Sequence, residues 1–324
     1  MGMQISGVTI QGGMNILPSG SSPSPTPYSF QGSTSGYAMG GGIDHQSNDQ
    51  QTNVIQKFSF TSDGNSTDVG DLTISVWFGA GQTSSASGYR SGGGTPTRID
   101  SIDKFPFSSD GNATDVGDLT GGRNGSAGQS SSSNGYTSGG NTPTGVINTI
   151  DKFPFASDSN ATDIGDLTLA RRSITGGQSS SDNGYSAGGY TTTQSNVIDK
   201  FPFASDSNAT DVGDLSSPNF VCSGQSSTTN GYNSGGLAPG DVNKLDKFAF
   251  ASDGNATDIG NLTEFKYGTS GTSSIASGYV AGGTNTSNNA DDTRIEKFSF
   301  ASDGNTSDVG DLAVGVYGAT GVQV

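Results

Sequence analysis

One segment of 18 residues recurs six times in this chain, and its spacing constrains the fold more than any other feature. The clearest copy, residues 150–167, reads Ile-Asp-Lys-Phe-Pro-Phe-Ala-Ser-Asp-Ser-Asn-Ala-Thr-Asp-Ile-Gly-Asp-Leu. Successive Lys-Phe pairs lie 47, 48, 48, 47 and 50 residues apart, with the lysines at Lys57, Lys104, Lys152, Lys200, Lys247 and Lys297. Repeats of this length form solenoids, propellers or arrays, because one unit cannot bury its own apolar face and must pack against a neighbour.

Each repeat contains four short segments separated by turn-forming residues. The first is variable and rich in Gly and Ser, the second is Gly-Tyr-x-x-Gly-Gly, the third is Ile-Asp-Lys-Phe-x-Phe, and the fourth is Thr-Asp-Val-Gly-Asp-Leu. The second segments begin at Gly36, Gly88, Gly135, Gly184, Gly231 and Gly278. None of the segments shows the 3.6-residue period of an amphipathic helix. Runs of about four to eight residues between turn formers predict an all-β protein made of short strands.

The third and fourth segments are predicted to form a hairpin. Ser-Asp-Gly-Asn-Ala-Thr or a close variant lies between them, and Asp-Gly readily adopts the positive φ values of tight turns. Three copies carry a proline inside the third segment, at Pro106, Pro154 and Pro202. Proline removes one hydrogen bond of the strand ladder. We therefore expect the strand pairing to loosen at this position, next to the hairpin.

Four-stranded units of about 48 residues are typical of β-propeller blades. The second strand ending in Gly-Gly, the aromatic third strand and the short fourth strand resemble kelch repeats over residues 36–324. The chain departs from the kelch pattern where the usual Trp of the fourth strand is replaced by Val69, Val116, Ile164, Val212, Ile259 and Val309. The C-terminal segment 314–322 resembles a first strand, so we expect it to complete blade one and to remove an open edge. The predicted fold is a closed, six-bladed, all-β propeller.

The net charge of −16 limits the partners that the chain can bind. It argues against nucleic acid or an anionic membrane, which basic patches recognise. No apolar run reaches the length of a membrane span, and the N-terminus lacks the basic and apolar regions of a signal peptide, so neither membrane insertion nor a cleaved leader is expected. Cys222 is the one cysteine, which excludes an intrachain disulfide.

Three regions are predicted. Residues 1–17 form an N-terminal docking arm outside the repeat, residues 18–35 a Pro/Ser-rich linker, and residues 36–324 the propeller. The stretch Pro-Ser-Gly-Ser-Ser-Pro-Ser-Pro-Thr-Pro at 18–27 has the composition of an extended, semi-rigid tether. A short arm on such a tether suggests docking into another subunit.

The hairpin between strands three and four is a weak candidate for a calcium site. Asp63, Asn65, Thr67 and Asp71, with the equivalent residues of the other repeats, place oxygen atoms at positions 1, 3, 5 and 9. Calcium loops carry Gly at position 6 and a bidentate Glu at position 12, and both are missing. The stretch also resembles the aspartate box of sialidase propellers. Turn and capping chemistry explains these residues without a metal, so no cofactor is expected and calcium is the alternative.

The six repeated lysines have two interpretations. They could form a functional ring, or each could pair with a hairpin Asp of its own or the next blade. Because they are six of only eight lysines in the chain, they do not create a basic patch. The interpretation as structural ion pairs is the simpler one.

The inventory of reactive side chains argues against an enzyme. A copper oxidase of kelch type would need His, Tyr and Cys ligands, and this chain has only His45 and Cys222 in addition to its tyrosines. A sialidase-like hydrolase would need an arginine cluster and an acid/base pair, whereas the chain has six scattered arginines and two glutamates, Glu264 and Glu296. No catalytic residues are predicted.

The start Ile-Ser-Gly-Val-Thr-Ile-Gln-Gly-Gly and the repeat Phe-Ala-Ser-Asp-Gly-Asn-Ala-Thr-Asp-Val-Gly-Asp-Leu resemble virion proteins of marine tailed phages, especially those of cyanobacteria. The resemblance implies a fibre, tail or head-surface appendage on the particle, contacting other virion subunits through residues 1–17 within a homo-oligomeric or larger assembly. The alternative is a lectin-like adhesin that binds host-surface glycan through propeller loops. Specificity is expected in the variable loops, such as 90–101 and 283–293.

Overall fold

The computed structural model describes residues 30–43, 50–174, 177–238, 240–241 and 243–324. These residues form an all-β structure of six antiparallel four-stranded sheets, arranged as the predicted six-bladed propeller. Within these ranges no helix is present, and consequently no helix that could span a membrane.

The strands are numbered within each blade from the central axis outward. Blade 1 contains Thr320–Gln323, Ser35–Met39, Val54–Ser59 and Thr67–Asp71; blade 2 contains Ala80–Thr83, Ser87–Ser91, Ser101–Pro106 and Thr114–Asp118; blade 3 contains Ala127–Ser130, Asn134–Thr142, Gly145–Pro154 and Thr162–Asp166. Blade 4 contains Gly177–Ser179, Asn183–Ala187, Val197–Pro202 and Thr210–Asp214; blade 5 contains Ser223–Ser226, Asn230–Ser234, Lys244–Ala249 and Thr257–Asn261; blade 6 contains Ser270–Ser273, Ser277–Ala281, Arg294–Ser299 and Ser307–Asp311. Short accessory pairs join Gly42–Ile43 with Gln50–Gln51, Leu237–Ala238 with Gly240–Asp241, and Lys266–Tyr267 with Thr284–Asn285.

The up-and-down order of the strands gives the ring two different faces. The tight turns between strands one and two and the hairpins between strands three and four lie on one face, here called the turn face. The longer connections between strands two and three, and those that lead to the next blade, lie on the other face, here called the loop face. The three prolines are the last residues of their third strands, as expected.

Blade 1 is completed by the C-terminal strand, which confirms the predicted closure. Thr320–Gln323 pairs antiparallel with Ser35–Met39, with Tyr37 opposite Val322. Val324 exchanges two backbone hydrogen bonds of 2.9 Å with Ser35. The first and last strands of the chain therefore share one sheet, and the ring has no open edge at its seam.

Glycines allow the six first strands to approach one another around the axis. A methyl group added to Gly128 would lie 2.1 Å from the carbonyl oxygen of Gly81, and Gly177, Gly271 and Gly321 have similarly close neighbours. The space left at the axis is about 40 Å³, enough for a few water molecules. The centre of the ring is thus packed backbone rather than an open channel.

A closed circle of hydrogen bonds links the ends of the first strands. In five blades a Ser or Thr hydroxyl oxygen accepts from a backbone N–H of the preceding blade, and in blade 1 the amide oxygen of Gln323 replaces the hydroxyl. The residues in order are Thr83, Ser130, Ser179, Ser226, Ser273 and Gln323, with donor–acceptor distances of 2.9–3.4 Å. Since each member bonds the next, the circle depends on the presence of the last strand.

Aromatic stacks hold neighbouring blades together farther from the axis. The tyrosine of each Gly-Tyr pair stacks on the second phenylalanine of Phe-x-Phe in the following blade. The pairs are Tyr37–Phe107, Tyr89–Phe155, Tyr136–Phe203, Tyr185–Phe250, Tyr232–Phe300 and Tyr279–Phe60, with ring centroids 4.7–5.3 Å apart. The fourth-strand Val or Ile that replaces the kelch Trp packs against the same six clusters. Inter-blade stacking accounts for the repeated Tyr and Phe.

Alkaline pH is expected to unfold the ring cooperatively. Burial raises the pKa of all six stacked tyrosines, and for Tyr185 to about 12. Unfolded tyrosines ionise near pH 10, so the stabilisation is complete below that pH and is lost as pH rises through the folded pKa values. A titration followed at 295 nm should show these tyrosines ionising together with the loss of β-sheet circular dichroism. The chain has ten tyrosines, and ionisation near pH 10 of more than the four that lie outside the Gly-Tyr-x-x-Gly-Gly segments, in a protein that stays folded, would contradict the stacked arrangement.

Candidate functional site

The six repeated lysines form ion pairs between blades. Each ammonium contacts the hairpin aspartate of the following blade, and the last pair, Lys297–Asp63, closes the circle. The pairs are Lys57–Asp110, Lys104–Asp158, Lys152–Asp206, Lys200–Asp253, Lys247–Asp303 and Lys297–Asp63, with N–O distances of 2.5–3.0 Å. The interpretation as structural ion pairs is confirmed, and the partner is the next blade in every case.

The hairpin residues proposed for calcium have partners in different places. The carboxylate of Asp63 pairs with Lys297, and Asn65 Oδ1 accepts a 3.0 Å bond from the backbone N–H of Asp311 in blade 6. Thr67 and Asp71 are the first and last residues of a five-residue strand, which separates them by roughly 13 Å. The equivalent Asn residues bond the preceding blade in the same way. These side chains dock the hairpins onto neighbouring blades, and the described residues contain no group of three or more His, Cys, Asp or Glu side chains suited to a metal.

Chelation of divalent cations is expected to leave the melting temperature unchanged. The hairpin oxygens are already used by Lys297 and by a backbone N–H, so a calcium ion would have to break existing bonds. Differential scanning calorimetry with EDTA and with added CaCl₂ tests this. A calcium-dependent rise of several degrees would restore the calcium hypothesis, because a ligand that binds only the folded state stabilises it.

Buried ion pairs inside the blades are a feature that the sequence analysis missed. The residue before the repeated lysine is acidic in blades 2 to 6 and is Gln56 in blade 1. Four of these acids pair with a buried cation: Arg90–Asp103, Arg123–Asp151, Arg171–Asp199 and Lys266–Glu296, at 2.5–3.0 Å. Each acid also accepts hydrogen bonds from the segment that follows the fourth strand of the preceding blade, as Asp151 does from Thr120. The repeated acid therefore joins adjacent blades.

Blade 6 carries the largest charged cluster, and it departs most clearly from the repeat. Both glutamates of the chain belong to it. Arg294 contacts Glu264 at 2.6 Å and Asp292 at 3.0 Å, while the buried Lys266 contacts Asp292 at 3.1 Å and Glu296 at 2.6 Å. Burial by itself would raise the pKa values of Asp292 and Glu296, but the charge of Lys266 and several hydrogen bonds together outweigh it, so both pKa values lie below their ordinary values. Both acids are therefore ionised at neutral pH.

A polar pocket opens on the loop face beside this cluster. Its volume is about 170 Å³, and it is lined by Glu264, Asn285, Asn288, Ala290, Asp291, Asp292 and Arg294. Most of these residues belong to the connection 283–293, one of the loops in which specificity is expected. Carboxylate, amide and guanidinium groups at one place can exchange several hydrogen bonds with a polyhydroxyl ligand. This pocket is the candidate functional site.

The chain enters the propeller at the axis, on the turn face. Phe30 lines the axial space, and its carbonyl oxygen accepts a 2.8 Å bond from Gln323 Nε2. Gln31 Nε2 donates to the carbonyl oxygen of Ser226 at 2.9 Å, and the Gly32 N–H donates to that of Ser273 at 2.8 Å. Ser226 and Ser273 end the first strands of blades 5 and 6. Residues 30–35, which were assigned to the linker, therefore pack against the ring opposite the loop face.

The predicted arm and most of the predicted linker lie outside the described residues, as does His45. The docking arm 1–17 and the linker as far as residue 29 precede the first described residue, and His45 lies in the gap between residues 43 and 50.

Comparison with known protein families gives no match to the chain, and no curated protein is significantly similar to it.

Proposed function

We propose that this chain is a non-enzymatic structural protein of a tailed-phage virion, displayed as a fibre, tail or head-surface appendage. Residues 1–17 anchor it to other virion subunits, and the propeller is presented for host attachment or subunit contacts. The proposal combines the sequence resemblance with the two-sided architecture of the ring.

The difference between the two faces of the ring is the observation that carries the proposal. The chain reaches the propeller on the axis of the turn face, where Phe30 and Gln31 contact the ends of the first strands. The loops that differ most between blades, together with the pocket of blade 6, lie on the opposite face. An axial tether on one side and unlike loops on the other suit a module that is mounted at one face and recognises at the other.

Particle incorporation tests the virion role. Deleting residues 1–17 from the phage gene should remove the protein from purified particles, as measured by mass spectrometry, while the separately expressed propeller keeps its melting temperature. Replacing loop 286–290 by Gly-Ser is the matched control, and it should leave the protein on the particle. Absence of the full-length protein from particles, or undiminished incorporation without residues 1–17, would contradict the proposal.

A lectin-like adhesin is the second candidate, and the blade 6 pocket is the observation that favours it. Three acids, Glu264, Asp291 and Asp292, and one base, Arg294, line the pocket together with two asparagines. Glycan hydroxyls can donate to the carboxylates and accept from the amide and guanidinium groups. The surplus of acids disfavours anionic sugars, so a neutral glycan is the expected ligand class.

A glycan array separates the two candidates. Specific binding by the propeller that is lost in Asn288→Ala, and kept in Thr97→Ala of the corresponding loop of blade 2, would establish the adhesin. Binding to no glycan would leave the structural role alone.

A further inference from the structure

Blade 5 breaks the pattern of buried ion pairs. Asp246 occupies the position of Asp151 and Asp199 and is only 6% exposed. Among the described residues no lysine or arginine forms an ion pair with Asp246. Blades 2, 3, 4 and 6 supply a buried cation to the equivalent acid, and blade 1 has Gln56 in place of the acid. A buried carboxylate without a counter-charge is strongly unfavourable, so this position requires an explanation.

Asn219 stands where blades 3 and 4 place an arginine. The carbonyl oxygens of Arg123, Arg171 and Asn219 each accept a bond from the second glycine of the preceding Gly-Gly pair, which fixes the equivalence of the three positions. In blade 4 the guanidinium of Arg171 donates to the carbonyl oxygens of Val197 and Ser186 as well as to Asp199. Asparagine has three fewer side-chain heavy atoms than arginine, so it cannot fill the same place.

Two polar oxygens around this place lack a hydrogen-bond partner. They are Asp246 Oδ1 and Asn219 Oδ1, and both residues are 6% exposed. The side chain of Asn233, the direct cross-strand neighbour of Asp246, hydrogen-bonds the thiol of Cys222, and the amide nitrogen of Asn219 is already bonded to Gly235. Native interiors contain few such atoms, and two of them in one blade indicate a bound ion or water.

The contrast with blade 6 identifies the charge of the missing group. There the ammonium of Lys266 lies 2.6 Å from Glu296. In blade 5, within the described residues, the lysine of the same strand, Lys244, pairs with Asp258 at 3.8 Å and not with Asp246. The interior of blade 5 offers one carboxylate and otherwise neutral oxygens. A divalent cation prefers several acidic ligands, which this interior lacks.

We propose that the interior of blade 5 binds one free monovalent cation of potassium or ammonium size, held by Asp246 Oδ1 and Asn219 Oδ1, in place of the arginine or lysine of the other blades. The carbonyl oxygens of Asn233 and Lys244, which correspond to those that Arg171 contacts in blade 4, are available as further ligands. The cation neutralises Asp246 and completes the set of buried pairs between blades. This site is independent of the proposed function.

Melting temperatures in different chloride salts test the site. At equal ionic strength, the full chain should melt about 2–4 °C higher in KCl or NH₄Cl than in tetramethylammonium chloride, whose cation is too large to enter. The KCl and NH₄Cl arms distinguish the two ions. Asn219→Arg supplies the positive charge covalently, and this variant should melt at the same temperature in all three salts. If Asn219→Arg does not fold, Asp246→Asn takes its place in the same comparison. Equal melting of the wild-type chain in all salts would overturn the proposal.

Cys222 provides a local probe of the same place. It is the single cysteine of the chain, it is fully buried, and it lies beside Asn233 and Asp246. Its reaction with Ellman's reagent should be several-fold slower in KCl than in tetramethylammonium chloride, and this difference should vanish in Asp246→Asn. Crystals grown with Tl⁺ in place of K⁺ should show an anomalous peak next to Asp246 Oδ1. An ordered water there instead, without anomalous signal, would exclude the cation.

Discussion

Deleting residues 320–324 is expected to prevent the chain from forming a stable propeller. The deletion removes the first strand of blade 1, the core residue Val322, and the Gln323 link in the circle of hydrogen bonds. It exposes the edge of Ser35–Met39 and leaves an unfilled groove against blades 2 and 6, so we also expect aggregation. Circular dichroism and size-exclusion chromatography of the purified protein measure both effects.

A circular permutant is the matched control for this deletion. Val324 and Ser35 exchange two backbone bonds, so residues 314–324 can be placed before residue 34 and joined by the kind of tight turn that the other blades use. The permutant should fold and melt near the temperature of the natural chain. Cooperative melting of the truncated protein within a few degrees of the full chain would show that the C-terminal strand does not close the ring.

Asp151→Asn is expected to cost about 3–5 kcal/mol of unfolding free energy, because it leaves the buried guanidinium of Arg123 without its charge partner. The adjacent substitution Lys152→Met removes one exposed pair with Asp206 and should cost less than about 1 kcal/mol. Urea denaturation of the two variants measures the difference directly. Similar losses for both would mean that the buried pair is no more important than the surface ring.

The architecture was predictable because it depends on local pattern and period. The spacing of Lys57 and its five equivalents gave the number of blades, and the resemblance of 314–322 to a first strand gave the closure. The lysine–aspartate ring was also predictable, since oppositely charged residues recur once per blade. What the sequence left open was whether each lysine would pair within its own blade or with the next one.

The buried pairs were harder to predict because their partners come from different parts of the repeat. Arg123 precedes the first strand of its blade, whereas Arg90 lies in a second strand, yet both reach the acid of the third strand. The sequence did contain one signal of these buried pairs. In five of the six copies an acidic residue directly follows the Ile or Leu of the third strand, and that Ile or Leu is fully buried. The axial position of Phe30 and the pocket of blade 6 depend on how unlike segments meet in three dimensions, which no repeat pattern records.

Cryo-electron microscopy of the intact phage particle tests the mounting of the propeller most directly. We predict six-bladed density on the particle, with the turn face and residue 30 directed toward the virion and the blade 6 pocket directed outward. Particles that lack this density, or that hold the loop face against another subunit with the turn face exposed to solvent, would contradict the proposed role.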